Sequence, residues 1–323
     1  MSIKWGVIGA GGIADRRIIP DGIIPANNAQ LVAVMDIDET KAKTVARKYG
    51  NVPYYTHEED LLNDPNVEAV YIATPLHLHC RQTCMAAKAK KHVLCEKPMA
   101  LNVQECASMI KACKKNDVKL AIGLMMRFHA YHQRLKEMIE RGELGKIVMG
   151  RAQLSCWYPP MEGAWRQYPK LGGGGSLIDM GAHCIDLLEM LIGKVSEVSC
   201  FSGRLVHEYK SEDSAAVLLH FKNGAMGIVD NFFNIPDNAS KNSLEIYGSK
   251  GSVLAKGTIG QMPDGEMIAY LEKELKEYDA KQERKEKNVE IKISPRPVNI
   301  FQAEIEHFSH CIEKDAEPLV SGE

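Results

Sequence analysis

At 323 residues, with 45% hydrophobic and 25% charged side chains, the chain has globular composition and the length of two medium domains. Its 40 basic and 42 acidic residues leave a formal charge of −2, which excludes the basic footprint of a nucleic-acid or anionic-membrane binder and leaves small molecules as the expected partners. No leader-like segment opens it and no run of about 18 apolar residues follows, so a soluble, cytoplasmic protein is expected. Nine cysteines, at 80, 84, 95, 106, 113, 156, 184, 200 and 311, form no C-x-x-C pair and no zinc spacing. They read as reduced thiols, with Cys95 a small buried hydrophobe and no metal site expected.

In chain order, five β-rich runs come first: "IKWGVIG", "QLVAVMD", "AVYIATP", "HVLCEK" and "KLAIGLM", separated by segments of helical length. Continuous apolar strands alternating with helices predict a parallel sheet covered on both faces, hence a doubly wound α/β domain over residues 1–125. A helix is expected over "MMRFHAYHQRLKEMIERGELG", ended by Gly142 and Gly145. Beyond it the texture changes. Strand candidates follow one another in "GKIVMGRAQLSCWY", "VSEVSCFSGRLV", "AAVLLHFKNGAMGIVDNFF" with a turn at Asn223-Gly224, and "NSLEIYGSKGSVLAK" with a turn near Gly248 to Gly251. One helix, about Ser176 to Leu191, interrupts them, so residues 126–323 predict an α+β domain with a mostly antiparallel sheet. The densely charged residues 272–288 read as a solvated helix or excursion, and "NIFQAEIEHFSHCIE" as a helix packing Ile300, Phe301, Ile305, Phe308 and Ile312 into a core.

"GVIGAGGIADR" sets Gly9-x-Gly11-x-x-Ala14 directly behind the first strand. In a dinucleotide site the first glycine permits a tight turn, the second lets backbone approach a pyrophosphate, and a small third residue lets helix and strand pack closely. The second strand ends in Asp36, 22 residues after Ala14, where an acid can bind a ribose 2′-hydroxyl. Ile37 follows it in place of Ser or Arg, so NAD is favoured over NADP. Later strands end at Thr74-Pro75 and at Glu96-Lys97-Pro98, and in an open parallel sheet ligands bind outside such carboxyl ends. His77 and His79 read as helix-start polar residues. Lys97 would then be delivered to the cofactor edge as a proton-transfer group, with Pro98 ending the strand and Glu96 beside it.

A second candidate lies in "GGGGSLIDMGAHCIDLLEML". Gly172 to Gly175 make a mobile or tightly turned approach to a helix that sets Asp179 and His183 at i, i+4 on one face, with Asp186 placed to orient the imidazole. An acid and a histidine so placed could bind a substrate hydroxyl and share its proton.

Taken in order, Gly9-Ala10-Gly11-Gly12-Ile13-Ala14, Asp36, Thr74-Pro75, Glu96-Lys97-Pro98, Trp165-Arg166, "GGGGSLIDMGAHCID", "EIYGSKGS" and the last 23 residues resemble the Gfo/Idh/MocA family of NAD(P)-dependent oxidoreductases, whose eponyms are glucose-fructose oxidoreductase and inositol dehydrogenase. The resemblance implies a Rossmann-type N-terminal domain and an α+β C-terminal domain whose open sheet joins copies into a homodimer or homotetramer. It implies substrates that are sugars, cyclitols or related polyols, and a catalytic group of Lys97, Asp179 and His183. Cofactor positions carried over are Gly9, Gly11, Gly12, Ile13, Asp36, Thr74, Glu96 and Lys97, with Pro75 and His79 at the same edge. Arg127, Tyr158, Trp165 and Arg166 fall where the family lines its cleft, beside Asp179 and His183. Two departures stand out: Leu76 replaces the usual Asn after Thr-Pro, and the sequence stops at "PLVSGE" where members commonly continue into a last helix. Two other readings stay open, a lyase or glycosidase that oxidises its sugar transiently, and a non-catalytic NAD-binding regulator of a sugar pathway.

Overall fold

The five apolar runs of the first 125 residues all form strands in the computed structural model, which describes residues 2–272, 280 and 289–323. They are β1 (Ile3–Ile8), β2 (Ala29–Met35), β4 (Ala69–Ile72), β5 (His92–Glu96) and β6 (Leu120–Gly123). A two-residue strand that the sequence did not reveal, β3 (Tyr54–Tyr55), joins them at one edge. The six pair in parallel in the order β3-β2-β1-β4-β5-β6. The order reverses between β1 and β4, the switch point at which an open parallel sheet leaves a crevice beyond its carboxyl ends. All four residues of β4 and the middle three of β5 are buried, which explains their continuous apolarity. The helix behind the glycine turn, Ala14–Ile23, is of the wide π type, Ile24 N donating to Ile19 O at 3.0 Å.

The chain divides into two compact units, but not as one cut. The first contains Met1–Met125, Tyr168–Gly173 and Asn299–Glu323, and the second Met126–Gln167 and Gly174–Val298. From sequence, 299–323 is expected in the second domain; the structure groups this segment with the parallel sheet. The reason is packing. Helix Ile300–Lys314, capped by Asn299, packs Phe308 against the buried Trp5 with the rings tilted and 5.8 Å apart, and Trp5 Nε1 donates to Ser309 Oγ at 3.1 Å. Ile300, Phe301 and Ile305 are buried with them, while Ile312 is half-buried. Farther on, Ile122 N donates to Val320 O at 3.1 Å.

One residue on this helix breaks the apolar pattern. Glu304 is 3% exposed, and among the described residues its Oε1 has no hydrogen-bond partner. Burial first, then the charge of Glu96, pushes its carboxyl well above the usual range. A carboxyl whose folded pKa exceeds its unfolded pKa stabilises the fold below the unfolded value, and that contribution is lost as pH rises through the folded value. Glu304→Gln is therefore expected to melt above the parent near about pH 8, the gap shrinking as pH falls to about 5. A gap of constant size across that range would mean that Glu304 is not buried as an acid.

In the second unit eight strands form one sheet, β7 (Ile147–Gln153), β8 (Val195–Gly203), β9 (Ser214–Phe221), β10 (Met226–Phe232), β11 (Ser243–Gly248), β12 (Gly251–Lys256), β13 (Glu266–Leu271) and β14 (Val289–Ile293). Their order is β14-β13-β12-β11-β7-β10-β9-β8, and every pair is antiparallel except β7 with β10. Helix Ala182–Ile192 covers one face so closely that a Cβ at Gly150 would lie 2.5 Å from Ile192 Cδ1. The single helix expected at 125–145 is instead a short 3₁₀ turn, Met125–Phe128, followed by helix Ala130–Glu140. His129 separates them with extended backbone, its ring accepting from Tyr131 N. The charged stretch 272–288 lies, apart from Glu272 and Ala280, outside the described residues.

Candidate active site

In the first unit, the end of β1 turns at Gly9, whose φ is +85°. A Cβ there would stand 2.9 Å from Thr74 Cγ2 and 3.0 Å from the backbone of Ala73 and Thr74, so only glycine lets the ends of β1 and β4 approach this closely. At Gly12, with φ of +56°, the space a Cβ would take is open to 4 Å, leaving bare backbone exposed at the start of the helix. Gly11 N donates to Asp36 Oδ2 at 3.2 Å, while Asp36 Oδ1 accepts from Asp38 N at 3.0 Å. The acid at the end of β2 is thereby fixed beside the glycine turn. Ile13 leads into the helix, Ala14 is fully buried beneath it, and Ile37 is 84% exposed. An open glycine backbone with a carboxylate at its flank fits the pyrophosphate and ribose of a dinucleotide.

The ends of β4 and β5 are tied by one imidazole. His79, 1% exposed, sets Nε2 2.9 Å from Thr74 O and Nδ1 3.0 Å from Pro98 O. Burial pulls its pKa below the usual value while the backbone carbonyls around it pull it back up; the neutral ring donates to one of the two carbonyls and only the protonated ring to both. Thr74 Oγ1 donates to Gln82 Oε1 at 2.6 Å, a contact eight residues along that no local pattern announces. Pro75 and Leu76 follow Thr74, Leu76 fully buried, so the residue standing for the family's Asn is turned into the core. Lys97, half-buried, joins Pro98 through a cis peptide bond, and Glu96 Oε2 accepts from Lys97 N at 3.1 Å. The neighbouring Cys95 thiol is pushed well up by burial and is inert, in keeping with its reading as core.

In the second unit the glycine run makes a crowded turn. A Cβ at Gly175 would fall 1.8 Å from Glu212 O, so no other residue fits there. The Glu212 carboxylate accepts from Gly175 N at 2.7 Å and Leu177 N at 3.1 Å, capping the start of the next helix. Nothing in the sequence pointed to Glu212, because the contact spans 37 residues. The segment predicted as one helix begins as a π-type turn, Leu177–Gly181, and becomes α-helical only at Ala182–Ile192. Asp179 sits in the π turn and His183, 4% exposed, in the first turn of the α-helix. Such turns recur at functional sites because they re-aim a side chain within a helix.

Asp179 Oδ1 pairs with Arg166 Nε at 2.9 Å. The Arg166 guanidinium also lies over the Trp165 ring at 4.2 Å, and its charge bears on the Tyr158 hydroxyl. Tyr158 packs on Phe233 at 4.8 Å, and burial raises its hydroxyl pKa against the pull of Arg166. Tyr158, Trp165, Arg166 and Asp179 are therefore one cluster. Arg127 is engaged elsewhere. Its Nε donates to both Asp186 oxygens, at 3.0 and 2.9 Å, and its Nη2 to Oδ1 at 2.6 Å. Asp186, which the sequence reading set to orient His183, thus holds a guanidinium fork.

Residues 3–124 match the model of an oxidoreductase family with an NAD-binding Rossmann fold, and residues 132–254 match the GFO/IDH/MocA C-terminal domain. The chain is 34% identical to the myo-inositol 2-dehydrogenase of Thermotoga maritima over 78% of its own length and 75% of that protein. It is 26% identical to the 1,5-anhydro-D-fructose reductase of Ensifer adhaerens over 99% of its length and 91% of that protein. The crystal structure of aldose-aldose oxidoreductase from Caulobacter crescentus complexed with glycerol is 28% identical, covers 100% of this chain and 92% of that one, and superposes with a TM-score of 0.88.

Proposed function

Because the chain belongs to the Gfo/Idh/MocA family of oxidoreductases, with its NAD-binding Rossmann fold, we propose that it catalyses reversible hydride transfer between nicotinamide C4 and a hydroxyl-bearing carbon of a sugar, cyclitol or related polyol. What carries this reading is the open glycine backbone at Gly12 with Asp36 fixed beside Gly11. Gly9, Gly11, Gly12 and Ile13 would hold the pyrophosphate and Asp36 the adenosine ribose, with Thr74, Pro75, Glu96 and Lys97 the residues that would meet the nicotinamide end. His79 acts there by holding the Thr74 and Pro98 turns together. When bound, the cofactor supplies the hydride acceptor or donor.

The chain's own residues handle the proton. Lys97 Nζ or the His183 imidazole takes the proton of the reacting hydroxyl as hydride leaves, and Asp179 sets the hydrogen-bond geometry and charge there. Arg166 holds the Asp179 carboxylate at 2.9 Å, and Tyr158 and Trp165 flank it as the hydroxyl-binding and stacking surfaces of a polyol site. Arg127 serves by fixing Asp186 on the His183 helix. With NADH deuterated at C4 and a panel of keto-sugars and ketocyclitols, deuterium is expected on the carbinol carbon of the product. Reduced product without the label would contradict the reading.

NAD is the cofactor rather than NADP. A 2′-phosphate would stand against the Asp36 carboxylate, and like-charge juxtaposition costs several kcal/mol, so NADH is expected to bind at least about 100-fold more tightly than NADPH. Asp36→Ala should shrink that ratio to about tenfold or less, measured by titrating nicotinamide fluorescence. Equal affinities in the parent would contradict this assignment.

The nine free cysteines suit the reducing cytoplasm, and among the described residues no helix is long and apolar enough to cross a membrane. Copies associate through the open face of the eight-stranded sheet as a homodimer or homotetramer. There Phe201, Leu218 and Met226, on three adjacent strands, are 59% to 85% exposed.

A further inference from the structure

Behind the lysine lies a buried hydroxyl that no step above uses. Tyr71, on β4 and fully buried, donates to Glu96 Oε1 at 2.7 Å. The other oxygen of that carboxylate accepts from Lys97 N at 3.1 Å. Register explains the meeting: Tyr71 pairs with Leu94 on β5, two residues before Glu96, so both side chains leave the sheet on one face. Gly123, on the adjoining β6, leaves the space. A Cβ there would lie 3.2 Å from Tyr71 Oη and 3.4 Å from Glu96 Cα. Burial first, and then the Glu96 charge, raises the tyrosine pKa far enough that the hydroxyl keeps its proton and stays a donor. The other ionisable groups bearing on the tyrosine are the buried Glu304 and Cys95.

We propose that Tyr71 is a positioning residue for proton transfer: its hydroxyl fixes the Glu96 carboxylate, and Glu96 fixes the main chain from which Lys97 presents its amine. The inference rests on the reading of Lys97 as the group that handles the substrate proton. Loss of the Tyr71 hydrogen bond removes one of the contacts that fix this carboxylate and loosens its hold on the Lys97 N–H. Displacements of about an ångström at a reacting group cost on the order of 100-fold in rate.

Tyr71→Phe removes one oxygen and keeps the packing. In the full-length variant, hydrogen exchange of the Lys97 amide is expected to speed up about tenfold or more while that of Trp5 and Val7 in β1 stays unchanged. Turnover is expected to fall about 10- to 100-fold with NADH affinity nearly unchanged, and Tyr71→Phe added to Lys97→Ala should cause no further loss. Gly123→Ala, which keeps the hydroxyl but crowds it, should move both readouts the same way by less. Unchanged exchange at Lys97 in Tyr71→Phe would overturn the clamp, whether or not the protein turns over any polyol. An equal loss of turnover with and without the Lys97 side chain would overturn action through the lysine. If the parent protein shows no nicotinamide-linked turnover at all, the oxidoreductase reading fails and the exchange measurement alone decides the clamp.

Discussion

Lys97→Ala is expected to lower kcat by about 10²- to 10⁴-fold while leaving the Kd for NADH within about threefold of the parent value. The separation follows from where the site's groups lie. The glycine turn and Asp36 that would carry the cofactor belong to the ends of β1 and β2, whereas Lys97 follows β5. Loss of the amine removes proton transfer and leaves the cradle intact. The His79 bridge from Thr74 O to Pro98 O does not involve the lysine side chain, so the turn keeps its shape in the variant. Steady-state kinetics with the best polyol substrate, beside a fluorescence titration of NADH, reads both quantities. Turnover near the parent's would remove Lys97 from the chemistry. A fall in affinity as large as the fall in turnover would make it a cofactor anchor instead.

Arg127→Ala is expected to destabilise the second unit by about 3 kcal/mol, because breaking a buried ion pair from one side strands the other charge. The pair is well enough buried for this to apply, with side chains 20% and 11% exposed. Even with the guanidinium fork in place, burial outweighs it and holds the Asp186 carboxyl above its usual pKa. Without the fork that carboxyl rises further. A raised folded pKa means stability that is present below the unfolded value and is lost as pH rises, so the variant's deficit should be larger at about pH 8 than at about pH 5. Arg127→Lys keeps a charge but loses the two-pronged geometry and should recover only part of the loss. Denaturant melts of the three proteins at both pH values test this; a deficit independent of pH would place the damage in packing rather than in the stranded acid.

Much of this was legible in the sequence for a definite reason. Strands buried on both faces must be apolar throughout, so β1, β2, β4, β5 and β6 announced themselves, and the turn at Gly9 to Ala14 could be placed because it needs residues without side chains. Asp36 could be read because its place at the end of the second strand is fixed by chain order. Features that depend on distant partners were not legible. β3 is two residues long and β13 (Glu266–Leu271) ends where the charged stretch begins, so neither carried a pattern long enough to stand out. The helix at Ile300–Lys314 showed its apolar face but not which core it would enter, and Trp5 lies 304 positions from its partner Ser309. Reading Asp179 and His183 as i, i+4 on a regular helix assumed 3.6 residues per turn, whereas the chain widens over Leu177–Gly181 under a cap from Glu212. Arg127 and Asp186 were both singled out, yet for separate tasks, because nothing local shows that they meet.

The measurement to make first is a single-turnover experiment: concentrated protein with NAD⁺ or NADH, a panel of sugars and cyclitols with their keto forms, and nicotinamide absorbance followed in time. A lasting absorbance change with one stoichiometric product, continuing as steady turnover when substrate is in excess, is the result expected of a polyol dehydrogenase. A transient change that reverses while the sugar is altered, or no change with any compound despite bound NADH, would contradict it.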